Sequence, residues 1–125
     1  MVNHTLCKEE RLCGERVFTN LLKYGHTFFL TPYKVFWTKN HETASFPSRF
    51  AVSAPKRRFK HAVKRNLIKR RTREAFRTNK QMLNMAVANS EQIHLMVIYA
   101  SDQLLPYAKL EEAMKKILQR IAQSA

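Results

Sequence analysis

The chain has 125 residues, 45% of them hydrophobic, which suits one domain with a single core and argues against general disorder. Its 23 Lys and Arg residues and nine Asp and Glu residues give a formal net charge of +14. No apolar run approaches the roughly 20 residues that span a bilayer, and residues 1–11 contain no apolar signal core. We therefore expect a single cytoplasmic domain over 1–125 without membrane contact, with 1–11 as a candidate flexible N-terminal segment.

Cysteine and histidine give little indication of a metal site. Cys7 and Cys13 lie near the N-terminus without other clustered ligands, and the five histidines are scattered along the chain. We expect free, reduced thiols rather than zinc ligands, and no metal held by the protein alone.

The first element is predicted as a short helix over 15–24, followed by Gly25 at a position that favours a left-handed stop. A short strand over 28–30 is expected before Pro32. The next strand, 33–38, alternates between two unlike faces. One face carries Tyr33, Val35 and Trp37, and the other carries Lys34, Phe36 and Thr38. A polar loop over 39–48 precedes a strand over 49–54, which ends at Pro55.

The positive charge is concentrated in residues 56–80. This segment holds twelve Lys or Arg residues and one acid, Glu74, and so accounts for +11 of the net charge of +14. A cationic patch of this kind neutralises phosphates and releases their counterions. The sequence therefore indicates a nucleic acid as the partner.

Most of the basic segment is predicted as a helix over about 62–79 with two distinct sides. The expected core side carries Ile68, Thr72, Ala75, Phe76 and Asn79. Within an arc of roughly 100° on another side lie Asn66, Lys69, Arg70, Arg73, Arg77 and Lys80. Because no acid interrupts this arc for i,i+4 pairing, phosphate binding is favoured over a merely solvated face.

The C-terminal third supplies one strand and one helix. A polar connection over 84–92 leads to an apolar strand over 93–100, which we expect at the centre of the sheet. Pro106 then opens a helix whose apolar stripe is Leu110, Met114, Ile117, Leu118 and Ile121. The element order predicts an α+β sandwich, one sheet with packed helices.

Residues 62–77 read A-V-K-R-N-L-I-K-R-R-T-R-E-A-F-R. This run resembles the signature helix of the bacterial ribonuclease P protein family, A-V-x-R-N-R-x-K-R-x-x-R-E-A-F/Y-R. Residues 53–57 also resemble the family's S-V-x-K-K/R segment, and 18–25 its F-x-x-x-F/L-x-x-G helix end. The resemblance covers roughly 6–120. It implies a single-domain αβββαβα sandwich (ribosomal protein S5 domain 2-like) with a four-stranded sheet and a left-handed βαβ crossover.

The resemblance implies an accessory subunit of a ribonucleoprotein endonuclease that removes the 5′ leader from precursor tRNA. The partners would be ribonuclease P RNA and precursor tRNA, with the protein monomeric in the particle. Magnesium would be held mainly by the RNA and the substrate, and no protein side chain would be catalytic. Contacts to the catalytic RNA would come from Arg65, Asn66, Lys69, Arg70, Arg73 and Arg77. Contacts to the leader would come from Phe18, Leu22, Lys34, Phe36, Lys56 and Arg57.

Two positions depart from the family pattern. Leu67 stands where the family usually has a second Arg, and Arg71, within about 40° on the helical wheel, is a candidate replacement. Leu22 stands where Phe is frequent, so base stacking would become apolar contact. Periodicity alone favours Phe18 as a core residue. Phe36 shares a strand face with Lys34, which favours an open face where a ring can stack on an unpaired base.

Two other functional classes fit parts of the pattern. A self-sufficient protein nuclease could use His61 as a general base, but its motif has no second acid or base. A ribosomal protein or a duplex-DNA binder would also carry a basic helix. The spacing of the signature helix and the mixed aromatic and basic strand face argue against both.

Overall fold

A computed structural model describes residues 15–40, 48–85 and 92–124. Seven elements follow one another in the predicted order. They are helix α1 (Glu15–Tyr24), strands β1 (His26–Leu30), β2 (Tyr33–Asn40) and β3 (Ser48–Ser53), helix α2 (Ala62–Asn84), strand β4 (Gln92–Tyr99) and helix α3 (Tyr107–Ser124). Cys7, Cys13 and the segment 1–11 lie outside the described residues. Within the described ranges, no helix is both long and apolar enough to cross a membrane.

The four strands form one sheet in the order β1-β2-β4-β3. β2 pairs antiparallel with β1 and with β4, whereas β3 pairs parallel with β4. The connection between the two parallel strands is α2, so β3, α2 and β4 form the crossover unit implied by the family resemblance. β4 is central, as its continuous apolar run predicts.

One sheet face forms the main core with α2 and α3. Tyr33, Val35 and Trp37 are buried there, which confirms this face of β2 as the inner one. Phe50 of β3 stacks on Phe76 of α2 with 4.2 Å between the ring centroids. The predicted apolar stripe of α3 is fully buried. These contacts fix α2 with its basic side turned away from the sheet.

The opposite sheet face is partly covered by α1. Leu21 of α1 packs on Phe36 and Met96 in a second, smaller core, and Phe18 packs against its margin. This helix is short and contacts the sheet mainly through β2. The helix therefore leaves uncovered the part of that sheet face that contains Lys34, and Lys34 is exposed.

Three details of α2 differ from the prediction. The helix continues to Asn84 because Leu83 adds another buried apolar turn. Lys80, assigned above to the cationic arc, is only 6% exposed. Its position four residues after Phe76 and three before Leu83 places it on the buried side. Asn79, assigned to the core side, is half-buried, and its Nδ2 donates to the carbonyl oxygen of Ala75 at 2.8 Å.

Gly25 is required for a close approach rather than for a left-handed turn. Its backbone is outside the positive-φ range, contrary to the predicted left-handed stop. A Cβ atom at this position would lie 2.4 Å from the carbonyl oxygen of Leu21 and 3.1 Å from that of Trp37. Glycine therefore allows the end of α1 to pass directly onto β1 beside β2.

Candidate nucleic-acid interface

The outer side of α2 brings the six residues assigned to the catalytic RNA onto one surface. Asn66, Arg70 and Arg73 are exposed, whereas Arg65, Lys69 and Arg77 are half-buried. The opposite side of the helix is held on the sheet by Ile68, Thr72, Ala75 and Phe76. Because one side is fixed in the core, the cationic side is presented as a rigid row rather than on a mobile loop. We call these six residues the α2 stripe.

Several arginines of the basic segment also bind the protein itself. Nη1 of Arg65 donates to the carbonyl oxygens of Phe59 and Lys60, both at 2.8 Å, and so ties the loop before α2 to the helix. Nη1 of Arg58 pairs with Asp102 at 2.9 Å. Nη1 of Arg71 donates to the carbonyl oxygen of Leu105 at 3.1 Å. Arg71 is thus engaged with the loop before α3, which argues against it as the replacement for the family arginine at position 67.

The single acid of the basic segment is used within the stripe. Nε of Arg77 donates to Oε2 of Glu74 at 3.0 Å, and a second hydrogen bond joins Nη2 to Oε1. The hydrogen bond from Arg77 holds the pKa of the Glu74 carboxyl below its usual range. At neutral pH, Glu74 therefore neutralises one of the cations that the stripe offers to a phosphate.

The six residues assigned to the leader differ in exposure. Leu22 is 49% exposed, and Lys34, Lys56 and Arg57 are also exposed. Phe18 is half-buried. Phe36 is only 7% exposed because Leu21 covers it, and the Lys34 ammonium lies 5.4 Å from its ring centroid. The burial of Phe36 contradicts the expectation that its ring lies open to an unpaired base.

Phe29 is a surface aromatic residue that is absent from the residues predicted above to contact the leader. It is 58% exposed and lies opposite Lys34 in the pairing of β1 with β2, so both side chains project from the same sheet face. The exposed Lys60 and Lys64 are also absent from the predicted contacts. The sequence shows two adjacent aromatic residues at 28 and 29, but only the register of β1 with β2 shows which sheet face carries Phe29.

His61, the base considered for a nuclease, is exposed immediately before α2, and its side chain makes no cap hydrogen bond. Among the side chains that the structure describes, no group of three or more His, Cys, Asp or Glu residues is arranged to hold a metal ion.

A sheet with helices on both faces and a rigid cationic stripe defines a small, basic α+β protein suited to binding nucleic acid. Comparisons with known proteins narrow this class. The sequence model of the family described as Ribonuclease P matches residues 6–122. The ribonuclease P protein component of Porphyromonas gingivalis is 38% identical over 119 residues, which cover 94% of this chain and 86% of that protein.

Solved structures agree on the fold. The ribonuclease P protein of Staphylococcus aureus superimposes with a TM-score of 0.73 at 23% identity, over 91% of this chain and 96% of that one. The protein from Thermotoga maritima gives a TM-score of 0.72 at 24% identity, over 89% and 96% of the two chains. The chain belongs to the ribonuclease P protein family. It is a protein component of that endoribonuclease, an RNA-binding protein of tRNA processing, and the α+β fold expected from the resemblance is confirmed.

Proposed function

We propose that the chain binds the catalytic RNA through the α2 stripe and the single-stranded 5′ leader of precursor tRNA through the open sheet face. It thereby assists removal of the leader to give the mature 5′ end of tRNA. The observation that carries this proposal is the construction of α2, which has one side buried in the core and a cationic row on the other. The open row at Lys34 and Phe29 lies on the sheet face turned away from α2.

The RNA contacts divide into two kinds. Exposed Arg70 and Arg73, with half-buried Lys69, are the groups available to neutralise phosphates directly. Arg65 contributes positive charge while it also fixes the loop that carries Lys56 and Arg57. The two proposed RNA surfaces are thus connected through one arginine. Such contacts follow a backbone without reading sequence, as a subunit that serves many precursor tRNAs requires.

The leader contact rests on exposed side chains of α1 and the open sheet face. Leu22 and Phe29 supply apolar and aromatic surface, and Lys34 supplies the nearby cation. Unpaired bases stack on exposed rings independently of sequence. In this arrangement Phe36 is buried beside Lys34 and supports the surface from below. Phe18 is partly buried at the margin of the same surface.

The protein assists catalysis without a catalytic side chain of its own. It increases the effective concentration of the substrate at the catalytic RNA, and it reduces the phosphate repulsion that opposes RNA folding and magnesium binding. Magnesium, held mainly by the RNA subunit and the substrate, would activate the nucleophile and stabilise the leaving oxygen. The protein would act as a monomer in a cytoplasmic particle without membrane contact.

The test is cleavage of a precursor tRNA with a short leader at low magnesium concentration. Protein alone, a bacterial ribonuclease P RNA alone and their mixture are compared. We expect efficient cleavage only in the mixture, reduced by Arg70→Gln and Arg73→Gln and restored at high magnesium concentration. Cleavage by protein alone, abolished by His61→Ala, would overturn the accessory role. A mixture no faster than the RNA alone would overturn the proposed partnership.

A further inference from the structure

A small pocket opens on the α3 side of the edge strand β1, away from both proposed RNA surfaces. Its volume is about 260 Å³, and it is lined by His26, Thr27, Phe28, Trp37, Arg120 and Ser124. β1 and β3 are at opposite edges of the sheet, three strand spacings or roughly 14 Å apart. Because α2 packs on β3, the pocket is remote from the α2 stripe.

Arg120 lines the pocket and lies over an aromatic ring. Its guanidinium carbon lies 4.2 Å from the ring centroid of Phe28. A cation–π contact of this kind uses no N–H donor in a conventional hydrogen bond and leaves the guanidinium N–H groups available for other acceptors. An arginine fixed in this way presents its planar donors to an oxyanion with little further loss of side-chain entropy.

No carboxylate that the structure describes serves as the partner of Arg120. Glu74 is paired with Arg77, Asp102 with Arg58, Glu111 with Lys115 and Glu112 with Lys116. The last two acids lie eight or more residues before Arg120 on α3, about 12 Å along the helix axis. None of these four acids, the ones whose side chains the structure describes, therefore neutralises Arg120.

The pocket also contains a pair of stacked aromatic rings. The imidazole of His26 stacks on the indole of Trp37, with 4.5 Å between the ring centroids and 30° between the planes. Trp37 is buried, whereas His26 is exposed, so the outer face of the imidazole is open to solvent. An exposed ring backed by a second ring is a platform on which a nucleobase can stack.

We infer that this pocket binds a phosphate-bearing, unpaired nucleotide, with the phosphate on Arg120 and the base against His26. The volume is slightly below the range of about 300 to 1,000 Å³ typical of ligand pockets, which suits one nucleotide rather than a duplex. The nucleotide comes either from an RNA strand or from a free mononucleotide. This site is independent of the α2 stripe and of the leader surface.

Trp37 provides the readout because it is the only tryptophan of the chain and lines the pocket. Its fluorescence is measured during titration with adenosine 5′-monophosphate, adenosine, inorganic phosphate and a short single-stranded RNA. We expect saturable quenching by the monophosphate, competition by phosphate, and weaker binding of adenosine. Arg120→Gln should weaken binding of the monophosphate by about tenfold, since it removes a charge-assisted contact.

Lys116→Gln is the matched control, with the same charge change on an exposed residue of the same helix outside the pocket. Ser124→Glu is a second variant that keeps Arg120 in place and supplies a competing carboxylate at i+4. Binding weakened by both pocket variants and retained in Lys116→Gln supports the site. A response to the RNA strand alone, lost in the pocket variants, assigns the nucleotide to RNA. The inference is overturned if no probe perturbs Trp37. It is equally overturned if Ser124→Glu binds like the natural chain.

Discussion

Nη1 of Arg71 donates a hydrogen bond to the carbonyl oxygen of Leu105, 3.1 Å away, and so joins the most basic helix to the loop that precedes α3. Arg70, the preceding residue, is exposed and belongs to the α2 stripe. Two adjacent arginines with equal charge therefore have different surroundings. High positive charge in a segment does not make every one of its cations a contact for RNA.

Arg70→Gln and Arg71→Gln form a matched pair that separates these roles. Arg70→Gln should weaken binding to the catalytic RNA and reduce the slope of log affinity against log salt by about one, with little effect on unfolding. Arg71→Gln should lower the free energy of unfolding by about 1–2 kcal/mol, because the Leu105 carbonyl loses a charged donor. Urea denaturation and salt-dependent binding measure the two effects.

Equal losses of RNA affinity in the two variants would contradict this division. Each variant removes one positive charge, so the global electrostatic attraction falls equally in both. Any difference between them therefore reports the local contact. Circular dichroism at the binding temperature ensures that Arg71→Gln is compared in its folded form.

Leu22→Phe should strengthen binding of the leader. Leu22 is 49% exposed on α1, so a larger ring can be added there without overpacking a core. Stacking on one unpaired base is worth roughly 1–3 kcal/mol. We expect tighter binding of precursor tRNA with its leader and no change for mature tRNA. Leu104→Phe adds the same ring to a leucine that is 40% exposed in the loop before α3, and it should leave both affinities unchanged.

The sequence predicts the elements that bury a regular stripe. The apolar periodicity of α3 identifies five of its six buried residues and misses only Ala113, and the family match over residues 6–122 identifies the fold. Alternation along β2 shows which residues share a face but not what covers that face. The alternation therefore predicts an open surface for Phe36, although Leu21 of α1 lies over it. Which element covers a sheet face depends on tertiary packing, and the period of a strand carries no information about that packing.

Other features depend on contacts between distant segments. The burial of Lys80 follows from the extra turn of α2 that Leu83 stabilises, beyond the predicted end of the helix. The hydrogen bonds from Arg65 and Arg71 are accepted by the backbone carbonyls of Phe59, Lys60 and Leu105. Because every residue carries such a carbonyl, the residue types do not predict these bonds. The same applies to Phe28 and Arg120, which are 92 positions apart in the sequence but form a cation–π contact in the fold.

Stability should decrease in alkaline solution through Tyr33. Its hydroxyl is buried and lies 2.7 Å from the hydroxyl of Thr72, and burial raises the pKa of Tyr33 well above its ordinary value. Above pH of about 10 the unfolded chain loses this proton while the folded chain keeps it, so stability falls by up to about 1.4 kcal/mol per pH unit. Below that pH the contribution is constant.

Tyr33→Phe should lower stability at pH 8 by about 1 kcal/mol, because a buried hydrogen bond is lost, and should flatten the alkaline decline. Tyr24→Phe is the control, since Tyr24 is exposed on the surface. Urea denaturation between pH 8 and 11 measures both variants. Burial also raises the pKa of Tyr99 and of Tyr107, so part of the decline should persist in Tyr33→Phe. An unchanged alkaline slope in Tyr33→Phe would refute the assignment.

Glu74→Gln should increase affinity for the catalytic RNA, because it removes the only acid of the basic segment and with it the negative charge that offsets Arg77. The salt dependence should steepen by about one unit of slope. Arg77 holds the pKa of the Glu74 carboxyl low, so its stabilising contribution is present above the pKa of the unfolded chain and lost as pH falls through the folded value. Acid unfolding between pH 5 and pH 3 should therefore be shallower in the variant.

Glu112→Gln makes the same charge change on α3 and should leave RNA affinity nearly constant. An equal gain in both variants would show that net charge, rather than the Glu74 and Arg77 pair, sets the affinity.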